Sequence, residues 1–283
     1  MSSSTVTLVT DFGSRDGYVG AMKGVILGIN PAARVVDITH DVPAQDIGHA
    51  AFVLGTTCPY FPPDTVHVAV VDPGVGTSRR ALLVVTPGGR FVVPDNGLLT
   101  YVAEPHLRAL AKTGATLRTG VGFMEPFTAT LPSGWSAWEL TESTYWRSTV
   151  SDTFHGRDVF SPVAAHLSLG VKPDSLGRRV EDLICVRVFK NETHDAGLYG
   201  RVVFVDRFGN LVTNVRPSQL PGGDVEVDVG GASIAGLRRS YADGKGLRVL
   251  VGSHGFLEIA EKNGSAATRL SAAVGTRVMV RPG

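Results

Sequence analysis

The sequence predicts an α/β domain with a mostly parallel sheet, followed by a small all-β, barrel-like domain. Three observations carry that reading. From Val6 to about Ala103, β-rich runs alternate with stretches of helical apolar spacing. After Gly200 the helical period gives way to short β-branched runs separated by glycine-rich turns. Finally, 43% of the 283 residues are hydrophobic, which is enough to bury one large or two moderate cores.

In order along the chain, Val6 to Thr10 reads as a strand, and Tyr18 to Ile29 as a helix that stops before Pro31. Arg34 to Ile38 is a second strand and Asp46 to Thr57 a second helix. Val66 to Val71, apolar apart from His67, is a strand covered on both faces. Leu82 to Thr86 and Arg90 to Val93 continue the strands, and DNGLLTYVA begins another helix. Gly114 to Gly134, rich in Thr, Gly, Pro and aromatics without a period, reads as an excursion from the core. FSPVAAHLSLG has helical spacing and a stopping Gly170. The expected domains are 1–175 and 199–283, with 176–198 as the linker. The second contains GRVVFVDRFGNLVTNV, DVEVDVGG, LRVLVGS, GFLEIAE and TRVMVRPG.

Charge and composition narrow the function. The chain has 27 basic and 26 acidic residues, without a block of one sign, so a polyanion such as nucleic acid is not an expected partner. No run is long and apolar enough for a membrane span, and the start has no secretory pattern, so a soluble, cytoplasmic protein is expected. Cys58 and Cys185 are far apart and lack ligand spacing, so they read as buried hydrophobes. The eight histidines form no HExxH or HxH group, and neither a metal nor a cofactor is expected.

In open α/β sheets, ligands gather beyond the carboxyl ends of strands, where Asp11 and Asp72 both fall. The stretch VDPGVGTSRR, 71–80, leaves three readings open. It lacks the Gly-Lys-Ser/Thr ending of a P-loop, though its glycines suit an anion cradle. It can be a plain turn built on Pro73, Gly74 and Gly76. It can also hold Asp72 against Arg79 to make a polar site.

Five stretches in order, TDFGSRDGYVGAMKG (10–24), VDPGVGTSRR (71–80), TFHGRD (153–158), VDRFGNLVTN (205–214) and VGSHGFLEIA (251–260), resemble the S-adenosylmethionine hydroxide adenosyltransferase family. These are adenosine-forming hydrolases related to fluorinases and chlorinases. The resemblance implies a homotrimer with sites between subunits, and attack of water or hydroxide on ribose C5′ that releases methionine and adenosine. It implies a catalytic set of Asp72, Arg79 and His155, with Arg80 left as a surface cation. Among substrate positions it implies Asp11 at the ribose hydroxyls, and Asp16, Asp206 and Ser253 at the methionine end. Phe208 and Asn210 fall at adenine, Phe154 and Tyr241 at aromatic pocket positions. Gln45 is a pocket contact, and Gly156 stands where a side chain would crowd the substrate. The interval between PDNGLLT and TFHGRD is longer than the family pattern, and His254 stands where halogenases carry a basic side chain. A halogenase, a non-catalytic S-adenosylmethionine or adenosine sensor and a metal-dependent phosphohydrolase are the rival readings. The joint presence of Asp72, Arg79 and His155 favours water as nucleophile over halide.

Overall fold

The computed structural model describes residues 5–112, 125–243 and 245–283, and the chain divides into two compact units, Met1–Arg187 and Val188–Gly283. In the first unit the strands are β1 (Thr5–Thr10), β2 (Arg34–Thr39), β3 (Val66–Val70), β4 (Ala81–Thr86), β5 (Gly89–Pro94), β6 (Pro126–Thr130), β7 (Ser136–Leu140), β8 (Gly177–Val180) and β9 (Asp182–Val186). The helices are α1 (Tyr18–Ile29), α2 (Ile47–Thr57), α3 (Thr100–Lys112) and α4 (Ser161–Ser168).

The main sheet has the order β2-β1-β3-β5-β4-β7-β8. β2, β1, β3 and β5 are mutually parallel, while β4, β7 and β8 each join antiparallel to the preceding strand. Five of the seven strands, those four and β7, therefore run in one direction. Strand periodicity sorts the side chains onto two faces. Val6, Leu8, Val68 and Val70 pack with Met22 and Ile26 of α1 and Val163 and Leu167 of α4. Val9, Ala69, Leu82 and Val84 pack with Leu54 of α2 and Ala103 of α3 on the other face. A sheet buried on both sides explains why VHVAV is wholly buried from end to end.

Two expectations need correction. Of the excursion placed at Gly114–Gly134, residues 114–124 lie outside the described residues, but Pro126–Thr130 is strand β6, paired along all five residues with β9. Its partner lies more than fifty residues away, so local sequence carries no trace of the pairing. The stretch 176–198 is not a linker throughout. It contains β8 and β9, both paired within the first unit, and the division falls after Arg187.

In the second unit, β10 (Glu192–His194), β11 (Gly197–Val205), β12 (Leu211–Thr213), β13 (Val225–Val229), β14 (Ala232–Ala235), β15 (Leu237–Arg238), β16 (Leu247–Val251), β17 (Leu257–Glu261) and β18 (Arg277–Pro282) accompany one short helix, α5 (Ala266–Leu270). The strands follow the order β14-β13-β18-β11-β12-β17-β16-β15, with β10 on β11, and β14 also approaches β16, so the sheet curls into a nearly closed barrel. Alternation fills its interior with Val202, Leu211, Val227, Val249, Leu257, Ile259 and Val278.

Candidate active site

The first unit gathers its polar residues at the carboxyl edge of the parallel strands. β3 ends at Val70, Asp72 follows, and the loop carries Arg79 back beside it. Local bonds fold this loop: Val75 N–H donates to the Asp72 carbonyl at 3.2 Å, and the Thr77 hydroxyl to the Gly74 carbonyl at 2.7 Å. Gly76 has φ +77° and sits against the Asp152 carbonyl, so close that a Cβ there would be 2.6 Å from its oxygen. This one glycine lets the 71–80 loop dock on the segment that bears His155.

Arg79 joins the set. Its Nε donates to both Asp72 carboxylate oxygens at 3.0 and 2.9 Å, and its Nη2 lies 2.5 Å from Oδ2. The same Nη2 is 2.9 Å from His155 Nδ1. A guanidinium has only hydrogens to offer, so Nδ1 accepts and the imidazole is neutral, with its proton on Nε2. Burial, joined by the Arg79 charge, lowers the His155 pKa, against the pull of Asp72, Asp152 and Asp158. The Asp72 side chain is 4% exposed and that of Arg79 11%, so the pair is screened from bulk solvent while Asp72 still lines the cleft. The Arg79 guanidinium also lies over the Phe160 ring, 5.3 Å from its centre.

His155 immediately precedes a π-helical turn, Gly156–Phe160, which leads into α4. Such turns recur at functional sites because the extra residue redirects side chains. The turn is held by Asp158, which is fully buried and accepts from Ser151 N–H at 2.9 Å, Arg147 at 2.8 Å and Arg157 at 2.7 Å. Burial pushes this carboxyl up, but those donors hold it down, to about 2.

A cleft of about 410 Å³ opens over this edge, lined among others by Asp11, Gln45, Asp72, Phe154, His155 and Gly156. Six of the residues singled out from sequence therefore share one cavity. The Asp11 carboxylate is oriented by Gln45 N–H at 2.8 Å, and Gln45 holds a left-handed φ of 66° in doing so. A Cβ on Gly156 would touch Met22, Phe154 and Val70 at 3.4 Å, so this position is filled to its limit. Asp16 lies outside the cleft, in an adjoining recess with Tyr18, Phe154 and Arg157. Arg80 is not a free surface cation: it pairs with Asp95 at 2.6 Å and Asp182 at 2.8 Å, tying the loop to the end of β5 and to β9.

The remaining residues lie in the second unit. Asp206 shapes its own turn, accepting from Phe208 N–H at 2.9 Å, Asn210 N–H at 2.8 Å and the Asn210 side-chain amide at 2.8 Å. Asn210 is buried, with one amide hydrogen committed to Asp206, while the Phe208 ring is 76% exposed. The Tyr241 hydroxyl donates to Glu258 at 2.5 Å, and Ser253 is exposed on the turn between β16 and β17. Glu258 is 2% exposed; burial raises its pKa and Asp206 adds to that, against Tyr241 and His254. Sequence reasoning passed over Glu258, Asp158 and the cleft-lining Phe12 and Tyr18. Glu258 sits at a strand position and Tyr18 opens an apolar helix, so each has an ordinary structural reading. Among the described residues, no group of three or more His, Cys, Asp or Glu is placed to hold a metal ion.

Residues 6–118 and 119–177 match the SAM hydroxide adenosyltransferase N-terminal domain, and residues 200–279 match the C-terminal domain. The chain is 37% identical to an (R)-S-adenosyl-L-methionine hydrolase of Salinispora arenicola, over 100% of this chain and 99% of that one. It is 39% identical to a protein of the same name from Thermus thermophilus, over 94% of each. A fluorinase of Nocardia brasiliensis is more distant, at 24% identity over 98% and 97%. A crystal structure of an uncharacterized conserved protein from Thermotoga maritima superposes with a TM-score of 0.82 at 34% identity, covering 97% of this chain and 99% of that one. With two domain matches in the right order and such identity across nearly the whole length, the chain belongs to the SAM hydroxide adenosyltransferase family.

Proposed function

We propose that the protein is an S-adenosyl-L-methionine hydrolase that forms adenosine and L-methionine by attack of water on ribose C5′. The observation that carries this is the Asp72–Arg79–His155 chain at a cleft that also presents Asp11. The reaction forms an O–C5′ bond and breaks the C5′–S bond, whose electron pair leaves on sulfur as a neutral thioether. The leaving group needs no proton, so the burden falls on the nucleophile. Because His155 Nδ1 accepts from Arg79, its Nε2 is a donor, and Asp72 is the member of the set able to accept a water proton. In this reading Asp72 takes a hydrogen of the water, His155 Nε2–H holds its oxygen, and Arg79 fixes both groups. Placing the water in line with the C–S bond is the main contribution.

Asp11 suits the ribose diol as a carboxylate acceptor, with Gln45, Phe154 and Gly156 shaping the cavity around it. Asp16, Asp206 and Ser253 are read as contacts to the methionine end, Phe208 and Asn210 as the aromatic and amide surface for adenine, and Tyr241 as an aromatic pocket position. We further infer a cytoplasmic homotrimer that uses neither a metal nor an organic cofactor.

The deciding experiment is incubation of metal-stripped protein with S-adenosyl-L-methionine and chloride in ¹⁸O-labelled water, with mass spectrometry of the nucleoside. Adenosine labelled at its 5′ oxygen supports the reading. A 5′-chloro nucleoside refutes it in favour of a halogenase, and unchanged substrate with measurable binding refutes it in favour of a sensor.

A further inference from the structure

Three aromatic rings stand at one side of the cleft. The Phe12 and Tyr18 ring centres are 5.8 Å apart, Phe12 and Phe154 5.7 Å, and Tyr18 and Phe154 5.2 Å. Both Tyr18 and Phe154 line the main cleft with Asp11, Asp72 and His155, and both also line the recess that contains Asp16 and Arg157. They are the ground shared by the two cavities.

Shared ground has a chemical meaning once the substrate is laid across it, and this step rests on the hydrolase reading. The ribose belongs in the cleft with Asp11, and C5′ beside the water at Asp72. The recess holds the Asp16 carboxylate, which suits the ammonium group of an amino acid end, beside Arg157, whose Nε and Nη2 are committed to Asp158. Between C5′ and that end the substrate has a single charged group, the methylated sulfur, which must cross the rings. A π-face carries partial negative charge and attracts a weakly hydrated cation. Phe154 already has the Arg157 guanidinium over its ring at 4.9 Å, so that face is taken. Tyr18, 51% exposed despite its size, has ring surface left open.

We propose that Tyr18, supported by Phe12 and Phe154, is the element that recognises the sulfonium and distinguishes the charged substrate from neutral thioethers of the same shape. The contact fades as the C5′–S bond breaks, because the sulfur then loses its charge. Methionine is therefore held less tightly than the substrate from which it came, which helps release.

The test is isothermal titration calorimetry of the intact protein with two unreactive ligands. One is S-adenosyl-L-homocysteine, a neutral thioether. The other is the aza analogue with a protonated N-methyl amine in place of the sulfonium. Wild type should prefer the cation. Tyr18→Leu should weaken the cationic analogue by about 3- to 30-fold and leave the thioether within about twofold. Tyr18→Phe, which keeps the ring, should restore the preference. Parallel loss of both ligands would show that Tyr18 only packs, and no preference in wild type, or no change in Tyr18→Leu, would overturn the proposal equally. The readout is binding, so it stands apart from turnover: labelled adenosine tests the hydrolase reading, and the affinity ratio tests this one.

Discussion

Gly76→Ala should separate Arg79 from His155, the two halves of the proposed catalytic set, without touching a charged group. The new Cβ would stand 2.6 Å from the Asp152 carbonyl oxygen, where ordinary contact begins at 3.4 Å, so the loops must part by about 0.8 Å. A left-handed φ of +77° adds about 1 kcal/mol for alanine over glycine. Arg79 travels with the first loop and His155 with the second, so their 2.9 Å contact opens by a similar amount. A misplacement of that order costs roughly 100-fold in rate. Gly74→Ala is the matched control: its Cβ would meet nothing nearer than 3.5 Å and its φ is not left-handed. Adenosine release by chromatography, with thermal melts of each variant, should show kcat about 100-fold down in Gly76→Ala and near wild type in Gly74→Ala. Equal kcat in wild type and Gly76→Ala, or equal damage from both alanines, would refute the docking argument.

Arg79→Lys keeps the charge but not the fork that reaches Asp72 and His155 together, so kcat should fall at least about 100-fold in the same assay. The His155 pKa is lowered from 6.5 by burial and by Arg79, and only the neutral ring accepts the Arg79 hydrogen. Activity should therefore fall with decreasing pH along an acid limb centred below 6.5, and a pH profile of kcat/KM with that limb above 6.5 would contradict the assigned tautomer. His67, wholly buried in β3 and stacked on Phe91, is pushed by burial to about 4. Its depressed pKa means that its share of stability is intact above 6.5 and lost as pH falls toward 4, about 3 kcal/mol in all. Urea melts of wild type and His67→Phe should differ in pH slope over that window by this amount. Asp158→Asn leaves Arg147 and Arg157 facing a neutral amide. Since those arginines are 41% and 31% exposed, the loss should be about 2 kcal/mol in denaturant melts, below that of a fully buried pair.

The parts of the molecule that were legible in sequence are those with local signatures. β1, α1 and β3 announce themselves by period, and the helix begun in DNGLLTYVA forms at Thr100. Asp72 and Arg79 are seven residues apart in one loop, and His155 comes from a separate motif; the structure joins all three. What escaped depends on distant partners. Arg80 read as a surface cation because Asp95 and Asp182 reach it only through the ends of β5 and β9. β6 has no periodic pattern of its own and is defined by β9. Tyr18 looked like one apolar residue of a helix, and only its place between two cavities distinguishes it.

The strand order has a consequence for how this enzyme can change over evolutionary time. β5 lies between β3 and β4, so the loop from Val71 to Arg80 must stride across the end of a strand before the chain turns back. Two inter-strand spacings amount to about 10 Å. The Arg80–Asp95 pair fastens the loop at its midcourse strand, because Asp95 directly follows β5. Length is thus fixed at both ends and tethered between them, and a shortened loop would have to abandon either Asp72 or Arg79. The hairpin joining β4 to β5 through Pro87 and Gly88 bears no such span. Insertions and deletions should accumulate there, while the 71–80 crossing keeps its residue count and explores only its side chains.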